Sequence, residues 1–198
     1  NKVTHSQRML SLNDIFSEAE AKAWIVRITK LLPESTKLDF FVDIKKDGLA
    51  CALIYQNGLF TKAITRGDGY LGEEVSANVK TIGSVPLRLR PAKGFEFLST
   101  GRTEIRGEIV MFKKDFELLN RQREQAGQPL FANPRNTAAG TIRQLDPTLV
   151  AKRPLQLLPY EIIRDITTEL PTNQSVYDAL NSSGFIKNPI ATNLKTIE

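Results

Sequence analysis

Cysteine and histidine are almost absent from this chain of 198 residues, which has one of each, Cys51 and His5. A single cysteine excludes an intramolecular disulfide and a cysteine-based zinc site within the chain. Because Cys51 lies in an apolar run, we predict a small buried hydrophobe rather than a reactive thiol. The lone histidine gives little support to a serine–histidine–aspartate relay, and we predict a local structural or surface role for it.

Long apolar runs are missing as well. No stretch approaches the ~20 residues that a membrane-spanning helix needs, and the first residues lack the pattern of a signal peptide. We therefore expect no membrane association and a cytoplasmic location. Hydrophobic residues make up 41% of the chain, enough for a substantial core. Twenty-seven basic residues against 22 acidic ones give a net charge of +5, which fits a polyanionic partner without requiring one.

Hydrophobic periodicity and turn residues predict an α+β fold with largely antiparallel sheets. Two strand-like runs, 49–55 and 59–65, flank Asn57-Gly58, which is a strong β-hairpin signal. Further strands are predicted over 38–45, 103–112 and 155–163. Helices are predicted from a capping box at 17–20 to Pro33, over 72–82 and 114–125, and near 136–145 and 175–182.

The motif that carries chemistry is Lys45-Lys46-Asp47-Gly48, at the end of the predicted strand 38–45. The period of two places Asp43 and Lys45 on one face, with Asp47 joining them if the strand continues, while Lys46 points to the apolar side. A lysine amine attacks phosphorus only when it is uncharged, so a pocket that removes water from Lys45 would favour the reaction. A plain surface ion pair of Lys45 with Asp43 or Asp47 is the competing interpretation.

The chain resembles the adenylation domain of bacterial NAD-dependent DNA ligases almost from end to end. The resemblance rests on ordered blocks rather than on one motif: Met9–Leu12, Lys45–Ala50, Thr65–Gly69 with Gly72–Val75, Ile105–Glu108, Phe131–Asn136 continuing to Pro147, and Ala151–Leu155. It implies the nucleotidyltransferase fold that ligases share with capping enzymes, which is similar to the ATP-grasp fold.

The resemblance also implies the reaction. Lys45 would attack NAD, nicotinamide mononucleotide would leave, and the resulting lysyl-AMP would pass AMP to the 5′-phosphate at a nick in double-stranded DNA before the nick is sealed. Magnesium is expected to assist, although no metal ligand is predicted within this chain. Such an enzyme serves DNA replication and repair, and we expect a monomer.

Residue roles carry over by position. Lys45 and Asp47 match the catalytic pair. Ser11 and Leu12 match the segment that lines the adenosine pocket, Arg66 a ribose- and phosphate-side arginine, and Glu108 the ribose-side glutamate. Asp43 stands where the family usually has a glutamate at the adenine edge. Arg135 and Arg143 match arginines that face the DNA nick.

Departures from the family concern the ends of the chain and the competing functions. We expect an adenylation domain, 1–198, that is incomplete at its C terminus. The nicotinamide-mononucleotide-binding, OB-fold, zinc-binding, helix-hairpin-helix and BRCT domains have no counterpart here, so ligation by these residues alone should be impaired or absent, and zinc is expected only in a missing domain. Two alternatives stay open: an ATP- or GTP-dependent lysyl-nucleotidyl transferase, and a non-catalytic nucleic-acid-binding module.

Overall fold

A computed structural model describes residues 1–164, 170–187 and 191–194. Within them the strands are β1 (Lys2–Thr4), β2 (Phe40–Val42), β3 (Leu49–Gln56), β4 (Leu59–Thr65), β5 (Leu71–Glu73), β6 (Arg102–Met111), β7 (Leu155–Ile163) and β8 (Thr192–Leu194). The helices are α1 (Glu18–Thr29), α2 (Ser76–Val79), α3 (Lys113–Gln125), α4 (Pro134–Ile142), α5 (Pro147–Ala151) and α6 (Asn173–Ser182), with a short 3₁₀ helix at Glu96–Ser99. The predicted α+β class is confirmed.

The centre of the domain is a four-stranded antiparallel sheet in the order β4-β3-β6-β7. The predicted hairpin joins β3 to β4 through Asn57 and Gly58, which both have positive φ, 50° and 73°. Two consecutive residues of positive φ are typical of the tight turn that Asn-Gly favours. The longest strand, β6, lies between β3 and β7 and so fixes both halves of the sheet.

Helices α4 and α6 pack against this sheet, at β6 and β7 respectively, and α2 packs against β4. The fully buried side chains of the core include Leu53, Tyr55, Ile105 and Leu157. Burying a large apolar side chain contributes roughly 1.5–3 kcal/mol, so this layer supplies the main stabilisation of the domain. Cys51 is fully buried, as predicted, and burial raises the pKa of its thiol to about 12.

Two predicted elements differ from the structure. The strand predicted over 38–45 ends at Val42, where it pairs with β8 as a separate two-stranded sheet. The helix predicted over 72–82 is reduced to α2, because residues 71–73 form β5 and pair with β1. Val75, Val79 and Ile82, apolar residues at helical spacing within the predicted range, are nevertheless buried.

The polar face of β6 is buried rather than solvated. Glu104 accepts hydrogen bonds from Arg106 Nε at 2.9 Å, Arg102 Nη2 at 2.6 Å and Ser6 Oγ at 2.7 Å. Burial alone would raise the pKa of Glu104, but these donors hold it below its ordinary value. The segment after β1 thus covers this face, and charged groups there are paired, as buried charges must be.

His5 belongs to the same covering segment. Its side chain is buried, and Nε2 donates to the carbonyl oxygen of Thr65 at 3.0 Å, while Nδ1 has no hydrogen-bond partner among the described residues. The predicted structural role fits this position, whereas the surface location and the local character that the sequence suggested are wrong. The contact ties the N terminus to the end of β4, next to Arg66.

Candidate active site

Lys45 lies on an irregular segment, residues 43–47, between β2 and β3. Regular strand pairing ends at Val42, and the carboxylate of Asp43 accepts from the backbone N–H of Ile44 at 2.7 Å. Such local side-chain bonds compete with regular backbone pairing. The period-of-two assignment of faces is therefore wrong for Asp43, whereas Lys45 and Asp47 are exposed and Lys46 turns inward, as that assignment predicts.

The side chain of Lys46, not that of Lys45, turns towards the protein. Lys46 forms an ion pair with Asp43 and donates to the hydroxyl of Tyr177 at 3.2 Å, and Tyr177 also donates to Asp43. The Lys46 side chain is only 7% exposed and that of Asp43 17%. Lys46 thus points inward, as predicted, but Asp43, which we predicted to flank Lys45, is instead the partner of Lys46.

Lys45 is exposed, and its amine makes no hydrogen bond or ion pair within residues 1–164, 170–187 and 191–194. The competing interpretation, an ion pair with Asp43 or Asp47, is therefore not what the structure contains. A cavity of about 470 Å³ lies nearby, but Phe41, Tyr177 and Asp178 are among its lining residues and Lys45 is not.

The end of the segment is fixed by the glycine of the motif. Gly48 is buried against β6, where an added Cβ would lie 2.2 Å from the carbonyl oxygen of Ile109. No larger residue fits at that distance without a backbone shift. Asp47, one residue earlier, is exposed and pairs with Arg135 at 3.1 Å. The motif is thus anchored by its glycine while its lysine and aspartate face outward.

Glu108 on β6 is the half-buried carboxylate of the site. Burial raises its pKa above the ordinary value, although the Gly48 backbone N–H, Arg135 and Arg66 act in the opposite direction, and the charge of Asp47 adds to the rise. These mutual effects mean that Glu108, Asp47, Arg66 and Arg135 share one region. Arg102 and Arg106, which lie on the same strand as Glu108, pair with Glu104 instead.

Arg66 is positioned by the tight turn 66–69. Gly67 has φ 56°, and a Cβ there would lie 1.8 Å from the carbonyl oxygen of Leu71. Asp68 closes the turn by accepting from the backbone N–H groups of Tyr70 and Leu71 at 2.8 and 2.7 Å. The half-buried Arg66 side chain then reaches Ser11 Oγ at 3.3 Å.

Ser11 and Leu12 follow the N-terminal strand along this surface. Ser11 is joined to the site through Arg66, whereas Leu12 is 79% exposed. The structure therefore brings Ser11, Arg66, Asp47 and Glu108 together and leaves the Leu12 side chain in solvent.

The two arginines predicted to face DNA lie at opposite ends of α4. Arg135 stands in the first turn and pairs with Asp47, while Arg143 caps the C-terminal end and pairs with Glu73 at 3.1 Å. Eight residues of helix separate them by about 12 Å. Both side chains are more than half exposed. Arg135 belongs to the region of Glu108, and Arg143 does not.

Sequence reasoning missed Tyr160 and Tyr177. Tyr160 occupies a bulge in β7 opposite Arg106 and Gly107, and burial first, then the charge of Glu108, raises its pKa to about 12. Lys46 Nζ lies 6.0 Å from the ring centre of Tyr160 and 5.7 Å from that of Tyr177. The bulge is invisible in the alternation of residues 155–163, and Tyr177 is 131 positions from Lys46, so no local signal announces either.

Two absences concern the described part of the chain. It contains no group of three or more His, Cys, Asp or Glu side chains suited to holding a metal ion. None of its helices is both long and apolar enough to cross a bilayer.

Comparison with known proteins gives a consistent result. The family profile of the NAD-dependent DNA ligase adenylation domain matches residues 1–198. The DNA ligase of Syntrophobacter fumaroxidans is 44% identical over 194 residues, covering 98% of this chain and 29% of that protein. The DNA ligase of Coprothermobacter proteolyticus is 51% identical over 158 residues, 80% of this chain and 23% of the relative. The DNA ligase of Thermomicrobium roseum is 47% identical over 160 residues, which cover 81% of this chain and 23% of that relative.

This chain therefore spans less than a third of the length of these relatives. The match of the profile over every residue, with the motif lysine, the half-buried glutamate and the arginine turn in place, establishes the assignment. The chain belongs to the NAD-dependent DNA ligase adenylation domain family.

Proposed function

We propose that this domain, within its full natural chain, forms a covalent lysyl-AMP on Lys45 from NAD and passes the adenylyl group to the 5′-phosphate of a DNA nick, which is then sealed. We further propose that its fold is the nucleotidyltransferase fold of ligases and capping enzymes. The observation that carries the proposal is the convergence of Glu108, Arg66, Asp47 and Arg135 beside the segment of Lys45.

The first step exchanges one bond for another. The lone pair of Lys45 Nζ attacks the α-phosphorus of NAD, a P–N bond forms, and the P–O bond to nicotinamide mononucleotide breaks. The leaving group departs as a phosphate monoester, and the amine loses its protons to solvent or to a nearby base. Splitting a difficult condensation into several easier displacements is the usual benefit of a covalent intermediate.

The choice of Lys45 over Lys46 follows from their surroundings. The Lys46 amine is held by Asp43 and Tyr177, and an ion pair with a carboxylate favours the charged, non-nucleophilic form. Lys45 has no such partner among the described residues and faces solvent. Because water around the amine also hinders its attack on phosphorus, the bound dinucleotide itself has to displace that water.

The remaining roles are proposed from position. The half-buried Glu108 would accept hydrogen bonds from the ribose hydroxyls. Arg66, held by Ser11, would bind the phosphate or ribose, since a guanidinium donates to phosphate with paired bonds. Leu12 would cover the adenosine. Asp43 stays the proposed adenine-edge residue, although its carboxylate is shared with Lys46 and Tyr177.

The use of magnesium remains a prediction that follows from the family resemblance. Since no three-ligand acidic or histidine group occurs in the described residues, the ion is proposed to travel with the substrate phosphates, and no step is assigned to a protein-bound metal.

Nicked DNA is the proposed second substrate. The exposed Arg135 and Arg143 and the net charge of +5 suit a phosphate backbone, which is contacted without reading sequence. The cytoplasmic location and the monomeric state stay predictions.

The test is intact-protein mass spectrometry of the full natural chain after incubation with magnesium and either NAD, ATP or GTP. We expect one adenylyl adduct with NAD alone, mapped by peptide analysis to Lys45 and abolished in Lys45→Ala. Lys113→Ala, at an exposed lysine of α3, is the matched control and should keep the adduct. An adduct on Lys46, or one formed from ATP or GTP instead, contradicts the proposal.

A further inference from the structure

A polar network lies directly behind the segment that carries Lys45. Asp43, Lys46 and Tyr177 contact one another, although Tyr177, on α6, is distant from the other two in the sequence. The Tyr177 side chain is buried, and its ring packs on Phe41 with centroids 4.9 Å apart. The function proposed above for Lys45 assigns no role to Lys46 or Tyr177.

We propose that Lys46 and Tyr177 are positioning residues that hold residues 43–47 in the conformation from which Lys45 reacts. This inference rests on the proposed function of Lys45. Neither side chain is proposed to touch the dinucleotide; both act through the segment and through Asp43.

The geometry gives the first reason. Residues 43–47 have no regular backbone pairing, so side chains must fix their path. One end is fixed by Gly48 against Ile109 of β6, and the other by Asp43 and Lys46 against Tyr177 of α6. With both ends held, the intervening Lys45 is presented outward. Positioning a nucleophile in this way is worth a large factor in rate, because a misplacement of about 1 Å can cost about 100-fold.

Charge gives the second reason. Asp43 is two residues from Lys45, and an uncompensated carboxylate at that distance would favour the protonated amine. Lys46 neutralises Asp43 through an ion pair that is largely shielded from solvent. The other charged groups of the region are balanced too, since Asp47 pairs with Arg135 and Glu108 feels both Arg135 and Arg66. Lys46 therefore offsets a negative charge that would otherwise favour the protonated form of the Lys45 amine.

The test is a double-mutant cycle on the full natural chain, measured as the single-turnover rate of adduct formation over a range of NAD concentrations. Lys46→Met keeps the length of the side chain and removes its charge. We expect the rate at saturating NAD to fall about 10- to 100-fold, with little change in the NAD concentration that gives half the maximal rate. Adding Asp43→Asn to Lys46→Met should restore part of the rate, because both members of the pair are then neutral. Lys113→Met, an equal loss of charge on α3, should match the wild type.

Tyr177→Phe guards against a variant that does not fold. It keeps the ring on Phe41 and removes only the hydroxyl, which donates to Asp43 and accepts from Lys46, and we expect a smaller loss of about 3- to 10-fold in the saturated rate. Unchanged saturated rates in folded Lys46→Met and Tyr177→Phe, with only the melting temperature lowered, would overturn the inference. The function itself is tested separately by Lys45→Ala: if that variant still forms the adduct, the function fails, whatever the network does.

Discussion

Gly48 offers the sharpest test of how the fold presents Lys45, the proposed nucleophile. In Gly48→Ala the new methyl carbon would meet the carbonyl oxygen of Ile109 at 2.2 Å and Cγ1 of Val110 at 2.9 Å. The first neighbour is backbone in the central strand β6 and cannot rotate away. The segment that ends in Gly48 must therefore move outward, taking Lys45 and Asp47 with it.

The magnitude follows from overpacking. Forcing one methyl into a filled site costs about 1–3 kcal/mol, and in a domain of this size each kcal/mol lowers the melting temperature by about 2–4 °C. We expect a lower melting temperature and, at a temperature where the variant is folded, a rate of adenylyl adduct formation reduced by about 10-fold or more, because the nucleophile is displaced.

The assay pairs thermal melting with the mass-spectrometric adduct rate. Gly83→Ala is the matched control, because nothing lies within 4 Å of a Cβ at that exposed position. If Gly48→Ala melts and reacts like Gly83→Ala, the close approach of the motif to β6 does not position Lys45, and the reasoning is refuted.

Two further predictions concern charge. Because burial raises the pKa of Glu108, its contribution to stability is present at low pH and is lost as the pH rises through the folded-state pKa. The melting temperature of Glu108→Gln should therefore rise relative to that of the wild type between pH 4 and pH 8, whereas that of the control Glu117→Gln, on α3, should not. A difference between Glu108→Gln and the wild type that stays constant with pH would contradict this prediction. Arg135→Ala and Arg143→Ala should each weaken binding to nicked DNA and lower the slope of log affinity against log salt by about 1, so an unchanged slope in both argues against contact with DNA phosphates.

The elements that could be read from the sequence are those set by local chemistry. The hairpin at Asn57-Gly58 needs only two residues that accept positive φ, and β7 occupies 155–163 as its apolar pattern predicts. Helix α3 agrees with its predicted range to within one residue, at its start, because amphipathic spacing indicates the length of a helix well. Each of these depends on neighbours within a few positions.

The failures depend on partners far away in sequence. Beyond Val42 the predicted strand gives way because Asp43 and Lys46 meet Tyr177, more than 130 positions later. The first turn of the predicted helix 72–82 is lost because residues 71–73 pair with β1. No periodicity in one segment reports such a partner.

The same contrast holds at the candidate site. The family resemblance pointed to Glu108, Arg66 and Asp47, and the structure places all three in one region. The alternation of faces also separates the inward Lys46 from the outward Lys45, but it could not show that Lys46 pairs with Asp43 and Tyr177, because Tyr177 is distant in the sequence. Arg143 was grouped with Arg135 by motif, but helix length separates them.

An exposed nucleophile is consistent with a group that has to meet two large substrates in turn. In the proposed reaction Lys45 first reaches a dinucleotide and then, as lysyl-AMP, a DNA end, and a closed pocket around the amine would obstruct the second encounter. The position of the amine must therefore be fixed by contacts on the protein side of Lys45, where Gly48 is packed on β6 and Lys46 is paired with Asp43. Exclusion of water is left to whichever substrate is bound, so the protein fixes the direction of the amine and each substrate in turn completes the site.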